Sequence, residues 1–140
     1  MNFKHAACLS QIASCPPPSC APVAREAFRF VHANPDHPHN FAPVAVINPK
    51  RVLPTAELRC SSYALSFFTS KENAKKRYAE LSKSIKNIKL TIGDSVALLA
   101  ISPADGVATA VSNSGHFDLF EIGECHFSTR IGNVEVICDA

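Results

Sequence analysis

Residues Tyr63 to Ile88 read YALSFFTSKENAKKRYAELSKSIKNI: an apolar strand, a helix start and an amphipathic helix with no linker between them. Ala64-Leu-Ser-Phe-Phe68 is the strand, interrupted only by Ser66. Thr69-Ser70-Lys71-Glu72 fits a capping box, with Thr69 as N-cap and Glu72 reaching back to its backbone N–H. Ala74, Tyr78, Leu81, Ile85 and Ile88 follow at spacings of four and three, which puts them on one face and predicts a helix over 70–88. A strand that runs straight into a capped helix folds that helix back over the sheet it joins. The helix's other face carries Lys71, Lys75, Lys76, Arg77, Lys83, Lys86 and Lys89, half of the chain's 14 basic residues, against Glu72 and Glu80.

Composition sets the outer limits. A chain of 140 residues with 46% hydrophobic and 19% charged residues is the size and make-up of one globular domain with a real core. The net charge of +2 is too small to argue for a nucleic-acid protein, so only the clustering on the helix points that way. No apolar run approaches the roughly 20 residues that span a bilayer, and no membrane partner is expected. Ala6-Ala-Cys-Leu9, broken by Ser10 and Gln11, is too short an apolar region for a secretory signal. The expectation is a cytoplasmic protein.

Upstream of the quoted stretch, residues 1–24 form a Pro- and Cys-containing arm, with a short helix or coil over 6–14 and Pro16, Pro17, Pro18 and Pro22 after it. Residues 25–140 are then a single domain. Ala27-Phe-Arg-Phe-Val-His32 reads as the first core strand, with Phe28 and Phe30 on one face and Arg29 on the other. The loop Asn34-Pro-Asp-His-Pro-His-Asn-Phe41 puts His37 and His39 on one side, a spacing that would suit a metal, but a solvated loop is the simpler reading and no metal is expected. The six cysteines match no zinc module, and reduced thiols are expected, with Cys15–Cys20 the leading disulfide if one forms.

Downstream, Val96–Ile101 reads as a buried strand, Pro103–Gly106 as a turn, and 107–111 as its return. Strands 116–122, 125–131 and 134–138 then follow as a meander through two-residue turns at Gly123-Glu124 and Gly132-Asn133. That register has Phe120 facing Phe127 and sends Glu121 to a solvated face opposite His126, with Arg130 between Phe117 and Glu135. His116 and Asp118 fall at the rim of the core face, either satisfying each other or lining a cleft. The fold expected is α+β: a mainly antiparallel twisted sheet, one principal amphipathic helix (70–88) packed on it, and an irregular N-terminal arm.

There is no phosphate-cradling glycine loop, no Cys-x-x-Cys and no Gly-x-Ser-x-Gly elbow. What remains is an order of residues: Arg29 on the first strand, Ser66 with Thr69 and Ser70 before the Ala…Tyr helix, and Glu121 or Glu124 near a later strand. This order resembles small bacterial ADP-ribosyltransferase-like toxins over residues 27 to 130. The resemblance implies NAD as cofactor, held by Arg29 with Ser66, Thr69 and Ser70, and Glu121 supporting an oxocarbenium-like transition state. Ser66-Phe-Phe-Thr-Ser70 departs from the contiguous Ser-Thr-Ser of that family, and Leu119–Glu124 lacks its paired-acid motif.

Two other readings stand beside it. One is a non-enzymatic binding module of the immunity, antitoxin or regulatory kind, taking an acidic protein or nucleic acid through Lys75, Lys76, Arg77 and Lys83. The other is a small hydrolase or nuclease using His116 and Asp118, with Arg29 as the cation. A cleft shared by Arg29, the end of strand 64–68, His116 and Asp118 would serve both enzymatic readings.

Overall fold

The structure is a computed structural model and describes residues 2–137. It is α+β, as the residue pattern predicts. Six strands form one fully antiparallel sheet: β1 (Arg25–Val31), β2 (Leu65–Phe68), β3 (Ser95–Ile101), β4 (Gly106–Ala108), β5 (His116–Glu121) and β6 (Val134–Val136). Their order across the sheet is β4-β5-β2-β1-β3-β6. The longest ladder joins β1 to β3, from Arg25 opposite Ile101 to Val31 opposite Ser95.

Both faces of this sheet are covered, which decides where every polar side chain goes. Ala27 and Val31 of β1, Leu65 and Phe67 of β2, Ala97 and Leu99 of β3 and Phe117 and Leu119 of β5 form one buried face. Irregular chain closes it: Phe41 and a short turn at Phe127–Thr129 pack there. The opposite face is covered by helices in two places. Helix α4 (Lys71–Ser82) lays Ala74 and Tyr78 over Phe68 and Val96, with Phe28, Phe30 and Leu81 beside them. At the other end, α1 (Ala6–Leu9) and α3 (Ala56–Ser61) bring Leu9 and Cys60 over Val107 and Phe120. The remaining helices are single turns, α2 (Val44–Ile47) and α5 (Ile88–Thr91). None of the described helices is long and apolar enough to cross a membrane.

Several local expectations are corrected. The helix cap is Ser70, whose hydroxyl accepts from the Asn73 N–H at 3.1 Å; Thr69 instead donates its backbone N–H to the Gly115 carbonyl. The predicted helix 70–88 is two helices: α4 ends at Ser82, and α5 begins at Ile88 after Asn87 in the left-handed region (φ 59°). The meander is absent. Residues 125–131 are not a strand, and β6 crosses back to pair with β3, so Phe120 lies opposite Val107 and not Phe127. Glu121 is therefore buried, at 5% exposure, and bonds to Lys4 rather than to His126. Arg130 clasps Asp105 through two nitrogens at 2.7 and 3.1 Å and lies over the Phe127 ring, away from Phe117. Cys15 is bonded to Cys60, not to Cys20. The expectation for Cys138 falls outside the described residues.

The 1–24 arm is more ordered than its prolines suggest. Ala21 exchanges both backbone hydrogen bonds with Ala108 on the outer edge of β4, at 2.8 and 3.0 Å. Phe3 lies opposite Ile122 through the flanking residues, the Lys4 N–H donating to the Glu121 carbonyl at 2.9 Å and the Gly123 N–H to the Asn2 carbonyl at 2.8 Å.

Candidate functional site

Alternation along a strand separates the nominated residues into two groups. Arg29 shares its sheet face with Phe67 and Phe117. Ser66, His116 and Asp118 point to the opposite face, because they alternate with Leu65, Phe67, Phe117 and Leu119. The single cleft expected from the sequence is thus divided by the sheet itself.

On the first face, Arg29 is occupied by the backbone. Its Nε donates to the Asn40 carbonyl at 2.8 Å and its Nη1 to the Ser66 carbonyl at 3.0 Å, with the guanidinium about 6 Å from the Phe41 and Phe67 rings. Burial pulls its pKa down to about 10, offset in part by the charge of Glu121. Arg29 thus lies within the field of the Glu121 carboxylate. The side chains of Ser66 and Ser70 lie elsewhere: Ser66 faces the other side and Ser70 caps α4. Glu121 is held by the Lys4 ammonium at 2.9 Å, and Lys4 also donates to the Cys125 carbonyl.

The second face offers a more open arrangement. Between the cover of α4 and the cover of α1 and α3 the sheet lacks a helical layer. Ser66 is exposed there and lies directly opposite Asp118 across the β2–β5 ladder. His116 pairs with Phe68 in the same ladder and packs its ring edge-on to the Phe68 ring at 5.4 Å. His116 Nε2 stands 3.5 Å from Asp118 Oδ1, ion-pair distance rather than a formed hydrogen bond. Two hollows flank the pair. One of about 300 Å³ is lined by Phe68, Arg77, Glu80, Ser114 and His116; the other, about 110 Å³, includes Glu57, Ser61, Thr109, Asp118 and Phe120.

The loop that carries His116 is built for this position. Gly115 takes φ +77°, a left-handed conformation costly to other residues, and a Cβ there would collide with the Asn73 side chain. Its carbonyl is the acceptor for Thr69, so the turn is tied to the start of α4. Ser112 Oγ accepts from the His116 backbone N–H, and Thr109 Oγ1 accepts from the Asp118 N–H.

The electrostatics run against a plain ion pair, which would lower Asp118 and raise His116. Burial instead raises the Asp118 carboxyl to about 6, and burial together with the Arg77 charge lowers His116. Desolvation outweighs mutual attraction at 3.5 Å, and near neutral pH the pair is a neutral imidazole beside a reluctantly ionised carboxylate. That is the protonation state from which a histidine accepts a proton.

Helix α4 contributes Arg77 to the larger hollow, so the basic face reaches the pair. Lys71 and Lys75 are diverted, both lying within 3.3 Å of Glu135 on β6. The sequence nominated His116 and Asp118 together, and they stand 3.5 Å apart; Arg77 of α4, which was not nominated with them, lines the hollow beside His116. No protein-family model, curated protein or solved structure matches this chain.

Proposed function

We propose that the chain is a small hydrolase that cleaves phosphodiesters, with a nucleic-acid strand as the substrate class. The observation that supports this most directly is the placement of His116 between Asp118 at 3.5 Å and a hollow shared with Arg77. His116, neutral at pH 7, takes the proton of the attacking hydroxyl or water. Asp118 stabilises the imidazolium that results, and the proton is then available to the departing oxygen. Arg77 faces the phosphate, whose transition state spreads negative charge over its non-bridging oxygens. Lys76 on the same helix and Lys83 just past its end extend the positive surface along which a polyanion would lie.

The test is cleavage of labelled RNA and DNA oligonucleotides by the full chain. His116→Ala should lower kcat by 10²–10⁴-fold, the usual contribution of a positioned general base. Arg77→Ala should act on kcat/KM. Rate should rise with pH through about 6, as Asp118 ionises with His116 already neutral. Absence of cleavage of either strand type, or cleavage unchanged in His116→Ala, would remove the reading. Running the same samples with NAD and following nicotinamide release tests Arg29 and Glu121 in parallel.

A further inference from the structure

Where β1 ends, a second cluster of nitrogen ligands has no part in this chemistry. His32 follows β1 directly, and the loop after it returns His37 and His39 to the same place. One ring nitrogen of each lies within 4.8 Å of one from both others. The His32 and His37 rings stack at 3.7 Å between centroids, with 13° between planes, and His39 stands edge-on to both.

The loop is held rather than draped. Asn40, at 1% exposure, accepts the His32 backbone N–H on Oδ1 at 2.7 Å and donates Nδ2 to the carbonyls of His32 and Asn34. Arg29 grips the Asn40 carbonyl from the sheet. His37 Nδ1 accepts the His39 backbone N–H at 3.1 Å, which places the ring proton on Nε2; this bond must give way, as the ring turns, before the imidazole offers a lone pair to an ion. His32 Nε2 is buried with no hydrogen-bond partner. A buried polar atom left unmatched costs stability, and native structures seldom leave one without a reason such as an ion.

We propose that His32, His37 and His39 form a binding site for a late first-row divalent transition metal such as Zn²⁺. Neutral imidazole is the donor these ions favour, and Mg²⁺ or Ca²⁺ would want oxygens. Among the described residues no fourth His, Cys or carboxylate joins the cluster, so water completes a tetrahedral shell of three nitrogens. With metal–nitrogen distances of about 2.0–2.1 Å, tetrahedral ligands stand about 3.4 Å apart, so the rings need close by no more than about 1.4 Å. The stacked pair must open to do this, since parallel rings cannot aim both lone pairs at one point. Rotation about the His37 side chain, on the loop, supplies that. Asn40 and Arg29 act at one remove, as positioning residues that fix His32 and the end of the loop.

The experiment is a calorimetric titration of the full chain with Zn²⁺, and with Mg²⁺ in parallel, alongside nitrogen NMR of the histidine rings. One equivalent of Zn²⁺ should bind, Mg²⁺ should not, and the ring nitrogens of His32, His37 and His39 should shift while those of His116 stay in place. His37→Gln and His39→Gln should each weaken Zn²⁺ at least tenfold, and His116→Ala should leave it unchanged. No Zn²⁺ binding overturns the proposal. So does binding during which the three rings do not shift, because the ion then sits elsewhere, for example on the free thiols of Cys8 and Cys20. The ring spectrum of the parent chain decides this even if a loop variant fails to fold.

Discussion

Asp118→Asn is the most informative single change. The parent carboxyl is buried to 16% side-chain exposure, and the His116 imidazole stands 3.5 Å from it. Burial that lifts it from the ordinary carboxyl range to about 6 corresponds to a cost of about 3 kcal/mol when it is ionised, taken as a ceiling. The sign follows from linkage: a folded-state pKa above the unfolded one means that the folded chain keeps a proton the unfolded chain has lost. The contribution of this carboxyl is therefore most favourable below about pH 4, falls as pH rises between about 4 and 6, and carries the full cost above. Asparagine has the same shape and no charge. Urea unfolding with the disulfide intact should show Asp118→Asn more stable than the parent by about 1–3 kcal/mol at pH 7.5, the gain fading to near zero at pH 3.5. His116 titrates in both proteins and cancels in the difference, since its lowered pKa owes to burial and Arg77. A variant that is less stable by a constant amount at every pH would refute the reasoning. Asp118 would then be a satisfied structural carboxylate, and the acid–base reading would lose its basis.

Other outcomes follow from the same geometry. Arg130→Gln should cost about 3–5 kcal/mol in chemical denaturation, because it leaves the carboxylate of Asp105, 6% exposed, without its two-pronged partner. Burial alone would raise the Asp105 pKa, but bonds from Arg130 and Ser102 outweigh it and hold the group below its ordinary value. That stabilisation is present above about pH 4 and lost in acid, so the gap between parent and Arg130→Gln should narrow as pH falls. Arg29→Met should cost about 2–4 kcal/mol by leaving the Asn40 and Ser66 carbonyls unmatched, and should raise amide exchange in the loop 33–41 above that of β3. Reducing Cys15–Cys60, which closes a span of 45 residues, should lower stability by up to about 4 kcal/mol on the loop-entropy account, seen as a drop in the urea midpoint.

How much of this was legible depends on how local the signal was. The β2–α4 unit could be read from Leu65–Phe68 and the Ala74, Tyr78, Leu81 spacing because both ends of each contact lie within a few turns. The strand cores at 25–31, 95–101 and 116–121 showed for the same reason. The β5 partner did not, since Gly123-Glu124 has hairpin chemistry but the chain after it turns into Phe127–Thr129 instead. With both faces of the sheet buried, alternation no longer tells inside from outside, and Glu121 was assigned to water when it is sealed under Lys4. His32 escaped notice as a ligand because it stands in a strand pattern, and only the fold returns His37 and His39 to it. Cys60 lies 45 residues from Cys15, a pairing no spacing rule reports.

The order of strands has a consequence for the newborn chain. β1 lies near the centre of the sheet, yet its main partner is β3, with Phe28 opposite Leu98, 98 − 28 = 70 residues later. Closing a flexible span of that length costs about 4 kcal/mol before any contact repays it, and non-local sheets of this kind fold slowly. During synthesis β2 can meet β1 only at Phe28 and Phe68, and the ladder along Ala27 to Val31 stays incomplete until residue 101 has left the ribosome. Over that interval its apolar residues are open to chaperones and to other unfinished chains. The segment from Cys15 to Cys60 emerges well before β3, so it is the part of this protein able to acquire a long-range link while the centre of the sheet is still incomplete.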